Sequence, residues 1–592
     1  MNTTPFSKKK TPTQAKPSKV EKAKEGGRFL RGTVAETLAG DKDRFSPDDV
    51  QLLKFHGVYQ QDDRDLRKER RKKGLGKHWQ FMMRVALPAG IMTAGQYLRL
   101  DQVADRLADG SLRITTRQGI QFHGVLKGDL KAAVAEINDS LMTTLGACGD
   151  VERNVMACPA PIDDPAHRAV QELAEEISRQ LRPRSGAYHE IWIDGEKTVS
   201  TKPPEPAAEE EDFYGATYLP RKLKTGVALE NDNCIDIFSY DVGLVGMLED
   251  DEIVGYNLLV GGGLGMTHNK PETVARLAEP LGYVEPGDAV EAVRTVAAIF
   301  RDHGNRSNRR QARLKYLLER WGLERFRREF ERRAPFRLQP PRQMGRLPFH
   351  DHLGTQRQGD GRWFYGLFVQ NGRITDREGK QLRTALRRIV QELSPGVHAT
   401  AQQSLLLTGL DLPSLERVKG LLREHGVEEA GQLTQVRRHS MACPALPTCG
   451  LALGESERLL PSVLQELERE LDELGLKSSP LTVRMTGCPN GCARPYTADL
   501  AFVARSPSTY HVFVGGRLEG DRIADLFAAD VKPRDFLETL RPLLRLWSSQ
   551  RRRGESLGDF YQRRLGDGSH RRRITGKEEP TQARLHSLEV AL

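Results

Sequence analysis

The pentapeptide MACPA occurs at 156–160 and again at 441–445, 285 residues later. A repeated pentapeptide constrains a fold when other landmarks recur with it in the same order. LRITTRQGIQFHGV from Leu112 matches VHATAQQSLLLTGL from Val397 at the same spacing of 285, which sets Thr115 opposite Thr400, Gln118 opposite Gln403 and Gly124 opposite Gly409. LKTG at 223–226 matches RMTG at 484–487, 261 apart, and GYNLLVGGG at 255–263 matches TYHVFVGGR at 509–517, 254 apart. Four landmarks in one order predict a chain built twice on one plan, with the halves related by a pseudo-two-fold axis. The drifting offsets are insertions. The interface between two such halves is a natural large cleft.

Segments such as WQFMMRVAL, SLRITT, YHVFVGG and LTVRMT alternate and carry β-branched residues, so they read as strands. PSVLQELERELDELG places Leu460, Leu464, Leu467, Leu471 and Leu474 at helical spacing, with Gly475 as a C-terminal stop. Strands and helices interleave throughout, which predicts an α+β fold of mixed sheets covered by helices.

Differences between the two copies mark what function added. The first MACPA carries a lone cysteine, Cys158, whereas the second continues to Cys449 and is followed by Cys488 and Cys492 in MTGCPNGCARP. Cys443-x5-Cys449 and Cys488-x3-Cys492 thus form two tight pairs, the second in a Gly- and Pro-lined loop after a strand. Four thiolates from two loops suit tetrahedral zinc or an iron–sulfur cluster, and buried structural thiols are the plainer alternative. The x5 spacing fits zinc knuckles poorly. The seven cysteines are odd in number, in a long chain whose Lys-rich start has no apolar leader. A reducing, cytoplasmic setting is therefore expected rather than a disulfide framework.

The net charge of +10 calls for an acidic partner or an anionic ligand. Nucleic acid is not expected, because zinc-finger spacing, an RNP stretch and a basic zipper are all missing. No apolar run is long enough for a membrane span. GGGLG at 261–265 follows a strand but meets Met266 where a dinucleotide loop needs its last glycine, so it reads as a turn of the repeated fold. No flavin or nicotinamide fingerprint is present, so a redox enzyme of this sequence takes electrons from another protein. Cations sit on the repeat landmarks. Arg221, Lys222 and Lys224 lie in TYLPRKLKTG, and Lys222 and Lys224 would share one face of an extended strand. Arg113 and Arg117 lie in LRITTRQGIQFHG, with Thr115, Gln121 and His123 at the same parity; Arg84 lies among apolar residues and Arg153 precedes the first MACPA. Burying such charges requires something anionic to pair with them.

The motifs KFHGVYQQDDRD, RITTRQGIQFHG, YLPRKLKTGV, NLLVGGG, MACPALPTCGLA and RMTGCPNGCARPY resemble those of the siroheme sulfite and nitrite reductase hemoproteins, and within them the assimilatory sulfite reductase branch. The resemblance runs from about residue 28 to about residue 564. It implies a siroheme coupled to a [4Fe–4S] cluster between two pseudo-symmetric halves, and six-electron reduction of sulfite to sulfide. By resemblance, Cys443, Cys449, Cys488 and Cys492 hold the cluster, with Cys492 bridging to the siroheme iron. Arg84, Arg153, Lys222 and Lys224 ring the substrate. Arg113, Thr115, Arg117, Gln121, His123, Arg221, Arg313 and Asn490 hold the macrocycle and its carboxylates. Lys at position 224 marks the sulfite branch, where the nitrite branch typically has Asn. The implied electron donor is an acidic ferredoxin, with an NADPH flavoprotein subunit as the alternative. A siroheme nitrite reductase and, further off, a non-catalytic zinc-binding basic protein are the competing functions.

The expected organisation is a disordered basic tail at 1–27 and a first ferredoxin-like half-repeat with an N-terminal arm at 28–140. A first siroheme and substrate domain follows at 141–340, then a second half-repeat at 341–420. The cluster and siroheme domain occupies 421–565, and a C-terminal tail 566–592.

Overall fold

Trp79–Val85, Val483–Thr486 and Tyr510–Val514 are strands, as their alternation requires. Leu460–Glu473 is a helix that buries Leu460, Leu464, Leu467 and Leu471 on one face. Gly475, at φ +68°, ends it in the left-handed conformation. The computed structural model of the chain describes residues 16–187, 211–566 and 571–583. Among them, no helix is long and apolar enough to cross a membrane.

Four five-stranded sheets carry the duplication. Two smaller, antiparallel sheets are formed by Val58–Asp62, Trp79–Val85, Ile120–Val125, Leu112–Ile114 and Arg373–Ile374, and by Gly354–Arg357, Trp363–Leu367, Leu405–Leu410, Gly396–Ala399 and Ile91–Met92. Each takes its last strand from the other half: Arg373 pairs with Arg113, and Met92 with Val397. The crossing points are tight. A side chain on Gly90 (φ +80°) would strike the Ala399 carbonyl, and one on Gly372 (φ +74°) the Ile114 carbonyl.

Two larger sheets run Met156–Ala157, Thr225–Leu229, Val242–Glu249, Glu252–Val260, Glu279–Val284 and Ser440–Ala442, Val483–Thr486, Leu500–Ala504, Tyr510–Val514, Asp525–Val531. In both, the first three strands are parallel and the remaining two pairings antiparallel. Their pairing corrects one landmark. Thr225 pairs with Val242 as Val483 pairs with Leu500, a displacement of 258, so the LKTG and RMTG match at 261 is three residues out of register. In the true register Cys234 is the mate of Cys492. Asp236 (φ +58°) and Arg494 (φ +52°) open equivalent one-turn helices, Ile237–Ser239 and Pro495–Thr497.

The repeat also explains why MACPA recurs. Gln118 and Gln403 both adopt left-handed φ at the same turn. Gln118 donates its side-chain amide to the Ala157 carbonyl at 2.8 Å, and Gln403 to that of Ala442 at 3.0 Å. Each small sheet thereby positions the MACPA strand of its own half.

Helices Ala94–Leu107 and Leu382–Leu393, one from each half, meet at a buried ion pair in which Arg383 Nε donates to Asp101 Oδ1 at 2.7 Å and Arg387 shares the carboxylate. Asp101→Ala leaves the buried Arg383 guanidinium with only the exposed Asp105 carboxylate, 2.5 Å away, as counter-charge. The expected loss is about 3 kcal/mol, the low end for breaking a buried pair, read as a lower urea midpoint at unchanged slope.

One expectation about the tails is corrected. Residues 1–15 lie outside the described residues, but Lys19–Glu25 is a helix, and Lys24 is buried with its Nζ 2.6 Å from Glu21, 3.6 Å from Asp150 and 2.8 Å from the Leu219 carbonyl. A Lys-rich stretch is ordered here because a distant carboxylate receives it. In the C-terminal stretch, Arg573–Thr575 pairs with Val274–Arg276.

Candidate active site

A cleft opens between the halves. The strand Thr225–Leu229 starts just after Lys224, and Leu223 bridges to Glu152, so Lys222 and Lys224 point the same way, into the cleft. Arg117, Arg221, Arg309, Arg310, Arg313 and Arg494 complete its cations, and among the described residues no carboxylate lines it. The loop Leu264–Thr267 faces the Asn490–Cys492 stretch across the cleft. Met266 N–H donates to the Pro489 carbonyl at 2.9 Å, and a side chain on Gly265 would meet the Asn490 carbonyl at 3.0 Å. Thr116 donates its hydroxyl to the Cys492 carbonyl at 2.9 Å, which docks the 115–119 turn on the same loop.

Burial and mutual repulsion set the electrostatics. Burial, then Arg221 and Arg313, push Lys222 well below the usual lysine range; burial, then Lys222 and Arg117, do the same to Lys224. Burial brings the Arg117 and Arg221 guanidiniums down to about 10. Such a site gains most by taking up an anion, which restores the charged form of every cation at once.

Of the residues expected to surround substrate and macrocycle, the cleft gathers Arg117, Arg221, Lys222, Lys224, Arg313 and Asn490, beside Cys492. The others lie behind or beside it. Arg84, Gln121 and Arg113 stand side by side on three adjacent strands of the first small sheet. Arg113 donates to Glu457 at 3.2 Å and to the Ala442 carbonyl at 2.9 Å, next to Cys443. Thr115 holds its own turn, accepting from the backbone of Arg117 and Gly119. Arg84 reaches Cys148 Sγ at 3.0 Å, and Arg153 donates to the carbonyls of Gly149 and Ala147. Their apolar flanks foretold burial but not direction.

The four cysteines come together at the far wall. Ser440–Ala442 ends at Cys443, the strand Val483–Thr486 feeds Cys488, and Cys449 and Cys492 follow in the two turns. Gly487 N–H donates to Cys443 Sγ at 3.3 Å. Burial and the facing Cys492 thiol push Cys443 up to about 12, and burial with the neighbouring thiols raises Cys449 and Cys488 too. Thiols so raised stay protonated until a metal takes them up as thiolates. Four thiols delivered by two loops are a donor set that suits a multi-iron cluster.

The residues also fit a polyanionic macrocycle. Arg117 Nε and Nη1, Arg84 Nε and both ring nitrogens of His123 are buried without a hydrogen-bond partner. Unmade polar groups at such density are costly to bury, and those of Arg117, which lines the cleft, are satisfied by a carboxylate delivered into it.

Sequence reasoning missed Arg309, Arg310, Arg494 and the 264–267 loop. The glycines of GGGLG were the available signal, since they permit the close approach to Asn490. It also missed that Cys158 has company: Asp232, Cys234 and His352 surround it, all buried.

Comparison with known proteins agrees with this geometry. The model of the "Nitrite and sulphite reductase 4Fe-4S domain" matches residues 174–338 and 434–567, and that of the "Nitrite/Sulfite reductase ferredoxin-like half domain" matches 76–140 and 355–425. The Staphylococcus saprophyticus "Sulfite reductase [NADPH] hemoprotein beta-component" is 42% identical over 552 residues, 92% of this chain and 95% of its own. The Synechococcus elongatus "Sulfite reductase [ferredoxin]" is 44% identical over 570 residues, 93% of this chain and 90% of its own. The solved structure of the Mycobacterium tuberculosis NirA protein shares the fold at TM-score 0.74 and 24% identity, covering 93% of this chain and 97% of that one. With the duplicated sheets, the cationic cleft and the paired thiols already in place, these matches mean that the chain belongs to the nitrite and sulphite reductase family.

Proposed function

We propose that the chain is a sulfite reductase hemoprotein that reduces sulfite to sulfide with six electrons, drawn from a separate donor protein. The observation that carries this is the cleft itself, lined by cations without carboxylates and closed on one side by the loop that ends in Cys492. Siroheme and the [4Fe–4S] cluster, when bound, supply the electron path and the site of reduction. Cys443, Cys449, Cys488 and Cys492 would hold the cluster. Arg117, Arg221, Arg313 and Asn490 would hold the macrocycle, with Arg113, Thr115, Gln121 and His123 supporting the cleft wall from the first small sheet. Lys222 and Lys224 bind the anion and carry protons to it, and Arg84 and Arg153 extend the positive field behind them. The purified protein is expected to show a siroheme absorption spectrum and to oxidise a reduced dye when sulfite is added, more efficiently than with nitrite. A colourless, iron-free protein would overturn the reading.

For the donor we infer an acidic ferredoxin. The relatives' names point both ways, but the surface over the cluster is basic. The helix Arg67–Lys72, RKERRK, is exposed, and the Arg64 side chain just before it donates to the carbonyls of Cys449 and Ala452 at 3.1 and 2.6 Å. Leu451 and Leu75 stand out beside it, 69% and 51% exposed. A basic rim around exposed leucines above the cluster suits an acidic electron carrier. Turnover with ferredoxin is expected to fall steeply as salt rises, because exposed charge pairs are screened over about 8 Å at physiological ionic strength. Turnover with a small dye is expected to change much less. Support of turnover by an NADPH flavoprotein and by no ferredoxin at any salt would reverse the inference.

A further inference from the structure

Cys158, Asp232, Cys234 and His352 lie away from the cationic cleft, and neither siroheme nor the cluster uses them. We propose that these four side chains bind one zinc ion. Asp232 Oδ2 is 2.9 Å from Cys158 Sγ and 3.0 Å from His352 Nε2, Nε2 is 3.3 Å from the same sulfur, and all four ligand atoms lie within 4.8 Å of one another. Zinc bonds of about 2.0–2.3 Å in a tetrahedron hold ligand atoms roughly 3.3–3.8 Å apart, so the set closes on an ion with shifts of about 1 Å or less. Two thiolates, an imidazole and a carboxylate are a donor mixture that zinc accepts and that leaves no position open, as in structural sites.

The surroundings are built for it. The four residues are 1–4% exposed and come from three separate segments: the turn after Met156–Ala157, the turn after Thr225–Leu229, and the connection leading into the second half. His352 is held at φ +56°, and Gly366 passes so close that a side chain there would strike the His352 carbonyl. An outer layer fixes the ligand loops. Gln171 donates to the carbonyls of Cys158 and Ala160, Gln402 donates to that of Cys234, and the His398 ring contacts the Pro159 carbonyl. His167 Nε2, buried without a hydrogen-bond partner, lies 3.9 Å from Asp232 Oδ2, where it steadies that carboxylate. His352 also lines an open pocket with His350 and His439, which gives an ion a way in.

The duplication supplies an independent reason. Cys158 is the mate of Cys443 at MACPA, and Cys234 is the mate of Cys492 in the register that strand pairing fixes. The plan that brings two cluster thiols together in one half brings two thiols together in the other. There an Asp and a His complete a single-ion site that fastens the inter-half connection to the first larger sheet.

The test is elemental analysis and zinc-edge X-ray absorption on holoenzyme produced with added zinc and then dialysed against EDTA. One zinc per chain is expected beside the full iron complement, with two sulfurs at about 2.3 Å and two nitrogen or oxygen atoms at about 2.0–2.2 Å. Cys234→Ser is expected to lose at least nine-tenths of the zinc while keeping iron and acid-labile sulfide. Less than one-tenth zinc per chain in iron-replete wild type would overturn the proposal. So would a four-sulfur shell, which is zinc standing in the cluster cysteines, or a Cys234→Ser protein that keeps its zinc. Should that variant not fold, the wild-type metal count and ligand shell still decide.

Discussion

Cys449→Ser protein is expected to emerge with neither the iron–sulfur cluster nor the siroheme, and with no detectable sulfite reduction. The partner cysteine loop, 488–494, which shares the cluster with Cys449, is tied to the rest of the site at many points. Met266 bonds to Pro489, Thr116 to Cys492, and Arg494 to the Thr116 carbonyl at 2.9 Å. Arg494 and Arg484 both meet Asp236 in the buried interface. Loss of one thiolate leaves the cluster a ligand short. The loop that forms one wall of the cleft then loses its anchor, and the macrocycle has nothing to close against. Iron, acid-labile sulfide and Soret absorbance on one preparation measure this. A variant with its full complement of all three would defeat the assignment of four ligands.

Lys224→Asn is expected to lower kcat/KM for sulfite by roughly 10- to 100-fold and to affect nitrite less. Sulfite can carry two negative charges and nitrite one, so an additional cation helps the dianion more. A charge-assisted hydrogen bond in such a cleft is worth about 1.5–3 kcal/mol, and about 1.4 kcal/mol is tenfold. Lys222 remains in the variant, so binding weakens without vanishing. Burial and Lys222 hold the Lys224 pKa down before an anion arrives. Arrival of the anion raises it, so the protein takes up a proton on binding. Sulfite affinity is therefore full below the depressed value and is lost as pH rises towards the ordinary lysine range. Titration calorimetry in buffers of different ionisation enthalpy measures that proton, and its amount should fall in the variant. Equal losses for sulfite and nitrite, or none for either, would remove Lys224 from the basis of selectivity.

Much of this site was legible because duplication made the sequence its own alignment. MACPA, the TTRQG and TAQQS turns and the two cysteine pairs name the catalytic half and place its thiols on loops after strands. The letters misled where the signal was short. A Thr-Gly dipeptide set LKTG against RMTG three residues out of register, and only the ladder between Thr225 and Val242 shows the slip. That slip concealed the kinship of Cys234 with Cys492. His352 lies 194 residues from Cys158, beyond the reach of any spacing rule. Lys24 looked like tail because its partner Asp150 is equally remote. Burial of Arg84 and Arg153 followed from their neighbours in sequence, whereas the direction of each guanidinium depends on tertiary packing.

The exchanged edge strands say something about origin. Ile91–Met92 completes the second small sheet and Arg373–Ile374 the first. Half a chain, standing alone, would hold out a strand with no ladder to join and leave a sheet edge open. Two copies of one half would each satisfy the other, as arms crossed in a handshake. Joining two such halves in one chain keeps both exchanges, Arg373 against Arg113 and Met92 against Val397, and spares each half an open edge. Once joined, the copies were free to diverge, one towards electrons and the other towards the anion.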